Sequence, residues 1–200
     1  MAAFTKNDIL NLARAHLKLS PEVDVTTSRN PTSLLLNGQY EAARRFVLSE
    51  AHWGFAKKDA NLSKNETPTH TYANAYNLPS DHVRLITLNG HDVDNLTFPL
   101  YELKLNLAGN LEQIHTNEGS PIKITYVSDI ENVSVFTYPF IELLSYYLAD
   151  LVVSEDNQLA QKIAVRLDEK LGKAKFINSV QSLRPVPNHY DTSDWDKSHG

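Results

Sequence analysis

Residues 72–90 read YANAYNLPSDHVRLITLNG. Along this stretch the chain abandons the helical spacing that it keeps on either side, and its apolar period shortens. The shorter period returns in LYELKLNLAGN (100–110), LEQIHTN (111–117) and PIKITYVSD (121–129). Asn89-Gly90, Gly109-Asn110 and Gly119-Ser120-Pro121 punctuate these runs as turns do. Leu103, Leu105 and Leu107 alternate with Lys104 and Asn106, and Ile122, Ile124 and Tyr126 with Lys123 and Thr125. Such alternation predicts sheets with one solvated face.

Outward from this middle the sequence is helical on both sides. In TKNDILNLARAHLKLSP (5–21), Thr5 and Asp8 have the spacing of a capping box. Ile9, Leu12, Ala13 and Leu17 form a stripe, and Pro21 is expected to stop the helix. A second helix is predicted from Ser33 to His52, capped by Ser33 or Thr32, with Leu36, Tyr40, Ala43, Val47 and Ala51 inward. Arg44 and Arg45 interrupt that stripe, so at least one should face solvent or a partner. Gly54 is expected to end the helix between Trp53 and Phe55. A third helix is predicted from Tyr138 to Val153, with Pro139 at its first position. Its apolar face is Phe140, Leu143, Leu144, Tyr147, Leu148 and Leu151. The fourth begins near Ser154 or Glu155 and runs to about Val180, with Leu159, Ile163, Leu167, Leu171 and Ala174 as its stripe.

The predicted fold is therefore α+β. An antiparallel bundle of about four helices (1–56 and 130–183) carries an inserted antiparallel β module (57–129). An extended C-terminal arm (184–200) follows. At 200 residues, 42% hydrophobic and 22% charged, the chain can bury a core without staples. The absence of cysteine excludes disulfides, thiolate metal sites and cysteine nucleophiles. No apolar run approaches the roughly 18 residues that span a bilayer. MAAFTKNDIL lacks the pattern of a secretory signal, so no membrane anchor is expected. A net charge of −5 and a pI near 5.9 are unlike a sequence-reading nucleic-acid binder.

The chemistry-bearing residues form weak patterns. His189, Asp191, Asp194 and His199 could be a metal cluster, but nothing nearby would hold tetrahedral geometry. His16 reads as a partly buried core histidine, and His52 as packing or helix-end capping. A glycan hydrolase would need two carboxylates at a fixed separation, and Glu50, Asp59, Asp81, Glu102 and Glu112 are candidates without a pattern. There is no Gly-x-Ser-x-Gly elbow, no His-Glu-x-x-His and no phosphate-cradling loop. Lys57 and Lys58 read as a solvated face. No cofactor is expected, and no catalytic residue is assigned.

Taken in order, ILNLARAHLKL (9–19), EAARRFVLSEAHWGFAKKDANL (41–62), YANAYNLPSDHVRLITL (72–88) and ITYVSDIENVSVFTYPFIELLSYYLADLVV (124–153) resemble the head-to-tail adaptor family of tailed phages. That family includes the tail tubular protein A of short-tailed phages and related tail accessory factors. The likeness covers residues 6–180. Trp53 and Phe55 match its Trp-x-Phe-Ala group before a strand. Tyr76, Leu78, Pro79, Asp81 and Arg84 match its Tyr-x-Leu-Pro-x-Asp-x-x-Arg segment. These matched residues read as scaffold: Pro79 biases Leu78 to extended geometry, Asp81 holds a turn, and Arg84 is expected to pair with Asp81.

The resemblance implies a non-enzymatic, homo-oligomeric ring, a dodecamer, beneath a portal protein at the virion neck. The protein would be made in the host cytoplasm. The ring would extend the channel for double-stranded DNA without reading its sequence, and would seat a downstream tail tube or nozzle protein. Some relatives are credited with glycan degradation, and no residue here carries that over. A channel lining of mixed or acidic character is expected, since a basic one would retain phosphates.

In such adaptors the C-terminal tail reaches along the portal. Here it is RPVPNHYDTSDWDKSHG (184–200). Pro185 and Pro187 end the fourth helix and favour extended chain. Arg184, Val186, Tyr190 and Trp195 are spaced as separate anchors for a portal-docking arm.

Overall fold

The computed structural model describes residues 4–65, 67, 72–95, 100–106, 108–153 and 157–182, with backbone alone at 95, 157 and 177–182. The fold is α+β. Its helices are α1 (Lys6–His16), α2 (Pro31–Ser49), α3 (Tyr138–Val152) and α4 (Asn157–Ser182). The strands are β1 (Lys57–Leu62), β2 (Asn74–Asn77), β3 (His82–Leu88), β4 (His91–Asp92), β5 (Tyr101–Leu105), β6 (Glu112–Thr116) and β7 (Ile122–Ser128). Arg184, Val186, Tyr190, Trp195 and the histidine–aspartate cluster of the tail lie outside the described residues, as do Ser154 and Glu155.

Local chemistry explains where the helices begin and end. The Thr5 hydroxyl accepts from the Asp8 amide at 3.2 Å, and the Thr5 amide donates back to Asp8 Oδ2 at 2.8 Å, a complete capping box. Helix α1 stops at His16, before Pro21, because Lys18 turns to φ 58°. The cap of α2 is Asn30, whose Oδ1 accepts from the Thr32 amide at 2.9 Å. Pro31 at the first helical position moves the start upstream of Ser33 and Thr32, and frees Ser33 for the interior. Helix α2 ends at Ser49, and Gly54 falls instead in a short 3-10 turn, Gly54–Ala56. The Asn89-Gly90 turn joins β3 to β4 with both residues at positive φ, 49° and 84°, as a two-residue hairpin requires.

Among the described residues the strands form two antiparallel sheets. The inner sheet has the order β1-β7-β3-β4 and the outer sheet β2-β6-β5. One core lies between them, built from Tyr76 and Ile114 of the outer sheet and Leu85, Leu88, Ile122, Ile124 and Tyr126 of the inner. A second, larger core lies among the helices and takes Ile86 and Val127 from the opposite face of the inner sheet. The molecule is thus layered as helices, inner sheet, outer sheet.

This layering changes two expectations. The inner sheet has no fully solvated face where it meets the bundle: Tyr126, Val127 and Ser128 are consecutive and all buried. Leu105 is 63% exposed and Leu151 44% exposed, although both fit the apolar patterns. Leu105 stands on an edge strand, and Leu151 lies in the last turn of α3, beyond the stripe that meets the other helices.

Candidate functional site

Of the residues singled out by sequence, Trp53, Phe55 and Arg84 lie at the seam between the helices and the inner sheet, and Tyr76 lies in the core between the two sheets. Trp53 is 3% exposed and donates its indole N–H to the Val47 carbonyl at 2.8 Å. Its ring meets Phe140 edge-on, with centroids 5.0 Å apart. Phe55 packs on Phe136 and Phe140 at 5.5 and 5.1 Å, and Phe136 on Phe140 at 4.7 Å. Each such pair contributes about 0.5–1.5 kcal/mol beyond area burial. Trp53 and Phe55 therefore pin the exit of α2 to the start of α3. Tyr76 is fully buried in the sandwich core, its hydroxyl donating to the Glu118 carbonyl at 2.9 Å. Pro79 precedes β3, and its carbonyl accepts from the His82 amide at 3.0 Å.

Asp81 and Arg84 do not pair with each other. Strand alternation explains the separation. Lys58 and Leu85 lie opposite Tyr126, whose side chain enters the sandwich core, whereas Arg84 lies opposite Val127, which enters the bundle core. Asp81 accepts from Lys58 Nζ at 2.6 Å and from the Tyr126 hydroxyl at 3.0 Å. The Lys58 hydrogen bond, ahead of the Tyr126 one, holds the Asp81 carboxyl below its usual range. Burial, and then the bond to Asp81, push the Tyr126 phenol up to about 12. Lys58 is thus an ion-pair partner as well as a surface residue. Arg84 donates to the carbonyl of Ser49, the last residue of α2, at 2.9 Å and to Asp94 Oδ2 at 2.7 Å. A guanidinium from the sheet therefore caps the negative end of a bundle helix.

Sequence reading missed the strongest polar link. Arg44 is 1% exposed. It donates to Glu41 at 2.8 and 3.1 Å, and also to Asp129 and to the Ile130 carbonyl. Burial opposes its charge, but the bonds and charges of Glu41 and Asp129 raise its pKa. Exposed Arg45 donates to the other oxygen of Asp129 at 2.8 Å. The Arg44-Arg45 doublet was the available signal. Nothing local marked Asp129 as its partner, since the contact spans the whole β excursion.

Among the described residues the five candidate carboxylates are held by different neighbours. Glu50 holds Lys175 at 2.9 Å, Asp59 accepts from Thr125 at 2.7 Å, Glu102 pairs with Lys104 at 2.8 Å, and Glu112 lies 3.8 Å from His82. Asp81 and Glu112 both act on the His82 ring, and Asp81 is shifted opposite to a general acid. His16 contacts Ser145 Oγ at 3.0 Å and stacks on Tyr146 at 3.7 Å. His52 Nε2 lies 3.2 Å from Asp94 Oδ2 without the alignment of a hydrogen bond. Burial lowers the pKa of His16, His52 and His82 alike. Among the described residues no three side chains are grouped to hold a metal ion, and no helix is long and apolar enough to cross a membrane. No protein-family model and no curated protein matches the chain.

Proposed function

We propose that the protein is a structural head-to-tail adaptor of a tailed phage. Identical copies form a ring, a dodecamer, beneath the portal, lengthen the DNA channel and seat the tail tube or nozzle protein. The protein works without a cofactor, at the virion neck.

The observation that carries this reading is the outer face of α2. That helix buries Leu36, Tyr40, Ala43 and Val47 on one side, yet Leu34 and Leu35 are 56% and 55% exposed. Gly38 lies one turn further along the same face, and a side chain there would meet nothing within 4 Å. Exposed apolar side chains on a helix already anchored by its other face are suited to packing against another subunit. The seam supports the same reading, because a subunit that transmits position between portal and tail must keep its two modules in fixed relation. Overall acidity lets phosphates pass without retention.

The test is native mass spectrometry of the protein with the portal protein encoded in the same genome. The expected result is a ring that forms on the portal, which Leu35→Glu abolishes without unfolding the chain. Trp195→Ala is expected to weaken attachment more than it weakens the fold. No association with the portal, together with peptidoglycan cleavage that a single carboxylate substitution abolishes, would replace this reading with a hydrolase.

A further inference from the structure

The outer sheet ends in β5, and among the described residues no strand pairs with its far side. The Asn106 amide donates to the Leu111 carbonyl at 2.8 Å, at the closed end of the β5–β6 ladder. Antiparallel pairing alternates from there, so Lys104 and Glu102 exchange backbone bonds with Gln113 and His115 of β6. Tyr101, Leu103 and Leu105 turn their backbone N–H and C=O groups to the free edge. The side chains of these three share one face of the strand. Leu103 lies opposite Ile114, a residue of the sandwich core, yet Leu103 and Leu105 are themselves exposed. The apolar face of the outer sheet thus continues beyond what the inner sheet covers. Glu102 and Lys104 occupy the other face, 2.8 Å apart.

We infer that this edge pairs with β5 of a second copy of the chain, antiparallel and about a two-fold axis at Leu103. The stretch Tyr101–Leu105, YELKL, matches itself in that register. Leu103 meets its own copy, Tyr101 meets Leu105, and Glu102 meets Lys104. Apolar side chains then lie together on one face and opposite charges on the other. The three outward-facing residues of each copy bond across the axis, about six backbone bonds in all. A slip of one residue would set outward groups against inward ones. A slip of two would set Glu102 against Glu102, or Lys104 against Lys104. Charge therefore selects the register that also has the longest overlap.

Five residues a side span about 17 Å, a contact at the small end of protein interfaces, so the pair forms reversibly and at high concentration. A contact of this kind is isologous, the same patch serving on both copies. Neighbours in a ring present different faces to each other, so the two-fold pair is a state of the chain outside the ring. It does not rest on the adaptor reading, and its test uses no portal.

Sedimentation equilibrium of the full-length protein, from micromolar to millimolar concentration, is expected to show a monomer–dimer equilibrium. Amide exchange at Tyr101, Leu103 and Leu105 should slow as the dimer forms, whereas Glu102 and Lys104 are already protected by β6. Glu102→Lys is expected to weaken the dimer at least about tenfold, because it sets like charges opposite each other at two places. Glu102→Lys/Lys104→Glu restores opposite charges in the same register and should return the dimer to near wild-type strength. Both side chains are close to half exposed, so these substitutions leave the sandwich core intact. Leu35→Glu, on α2, should leave the dimer unchanged. A chain that stays monomeric leaves the edge to a strand of another protein and overturns the self-pairing. So does a dimer that Leu35→Glu abolishes, a dimer indifferent to Glu102→Lys, or a double variant as weak as the single one.

Discussion

Where the inner sheet meets the bundle, Arg44 is buried and Arg84 partly buried, and each is held by groups from both modules. At the β5 edge of the outer sheet, apolar side chains are exposed and the charges pair within one strand. Arg44 is 1% exposed and joins α2 to Asp129 and Ile130 beyond β7. Leu105 is 63% exposed, and the Glu102–Lys104 pair beside it is 48% and 41% exposed. A buried charge stripped of its partners is costly, so the seam admits few relative positions of sheet and bundle. The exposed edge imposes no such restriction and leaves its surface open to other molecules.

The largest expected effect breaks the seam. Arg44→Ala leaves Asp129 to Arg45 alone and opens the space of a guanidinium, and should cost about 3 kcal/mol in urea unfolding. Arg44→Lys should rescue little of it, because one ammonium cannot reach Glu41, Asp129 and the Ile130 carbonyl together. A loss below about 1 kcal/mol would show that the seam is held by apolar packing instead.

Arg84→Ala comes next, at about 1–2 kcal/mol, since it removes the cap on Ser49 and the bond to Asp94. Hydrogen exchange should accelerate in the last turn of α2 and little in the outer sheet. Uniform acceleration would mean that Arg84 does not specifically join the two modules.

These two arginines also mark how far the sequence could be read. Helix starts and turns with local causes were legible: the Thr5 box, Pro139 in the first turn of α3, and the Asn89-Gly90 hairpin. The cap of α2 is Asn30, two or three residues before the expected Thr32 or Ser33, because Pro31 suits the first helical position. The strand β1, Lys57–Leu62, has no apolar alternation and was suggested only by resemblance. Its order comes from pairing along its whole length with β7, far away in sequence, from Lys57 opposite Val127 to Leu62 opposite Ile122. The expected Arg84–Asp81 pair does not form. The actual partners of Arg84, Ser49 and Asp94, became visible only once the strand faces were known. Polar partners chosen across the β excursion leave no periodic trace.

A smaller effect separates the regions by pH. Burial keeps His16, His52 and His82 below the ordinary imidazole value of 6.5. Between the folded and unfolded values the unfolded chain binds more protons, so stability is fully present above 6.5 and is lost as pH falls below it. Asp81 is lowered from 3.8, so its share is retained until the pH drops into that range. The melting temperature should therefore decline between pH 7 and pH 5, and a second decline should begin only near pH 4. In His82→Gln the first decline should shrink while the second persists. A flat profile from pH 7 to 5 would remove the histidines as a source of acid sensitivity.

The smallest effect is expected at the outer edge. Glu102→Gln breaks a pair that is close to half exposed on both sides, and screened pairs of that kind contribute less than about 0.5 kcal/mol. Leu105→Ser removes a side chain that is mostly in water already, and its cost should be as small. If either substitution lowers stability as much as Arg84→Ala, the β5 edge is a structural part of the sandwich and the contrast with the seam disappears. If both leave the melt unchanged but alter assembly on the portal, the exposed leucines have a use in contact with another subunit. Measuring melting and assembly on the same two variants separates these outcomes, because a fold defect moves both readouts and a contact defect moves only one.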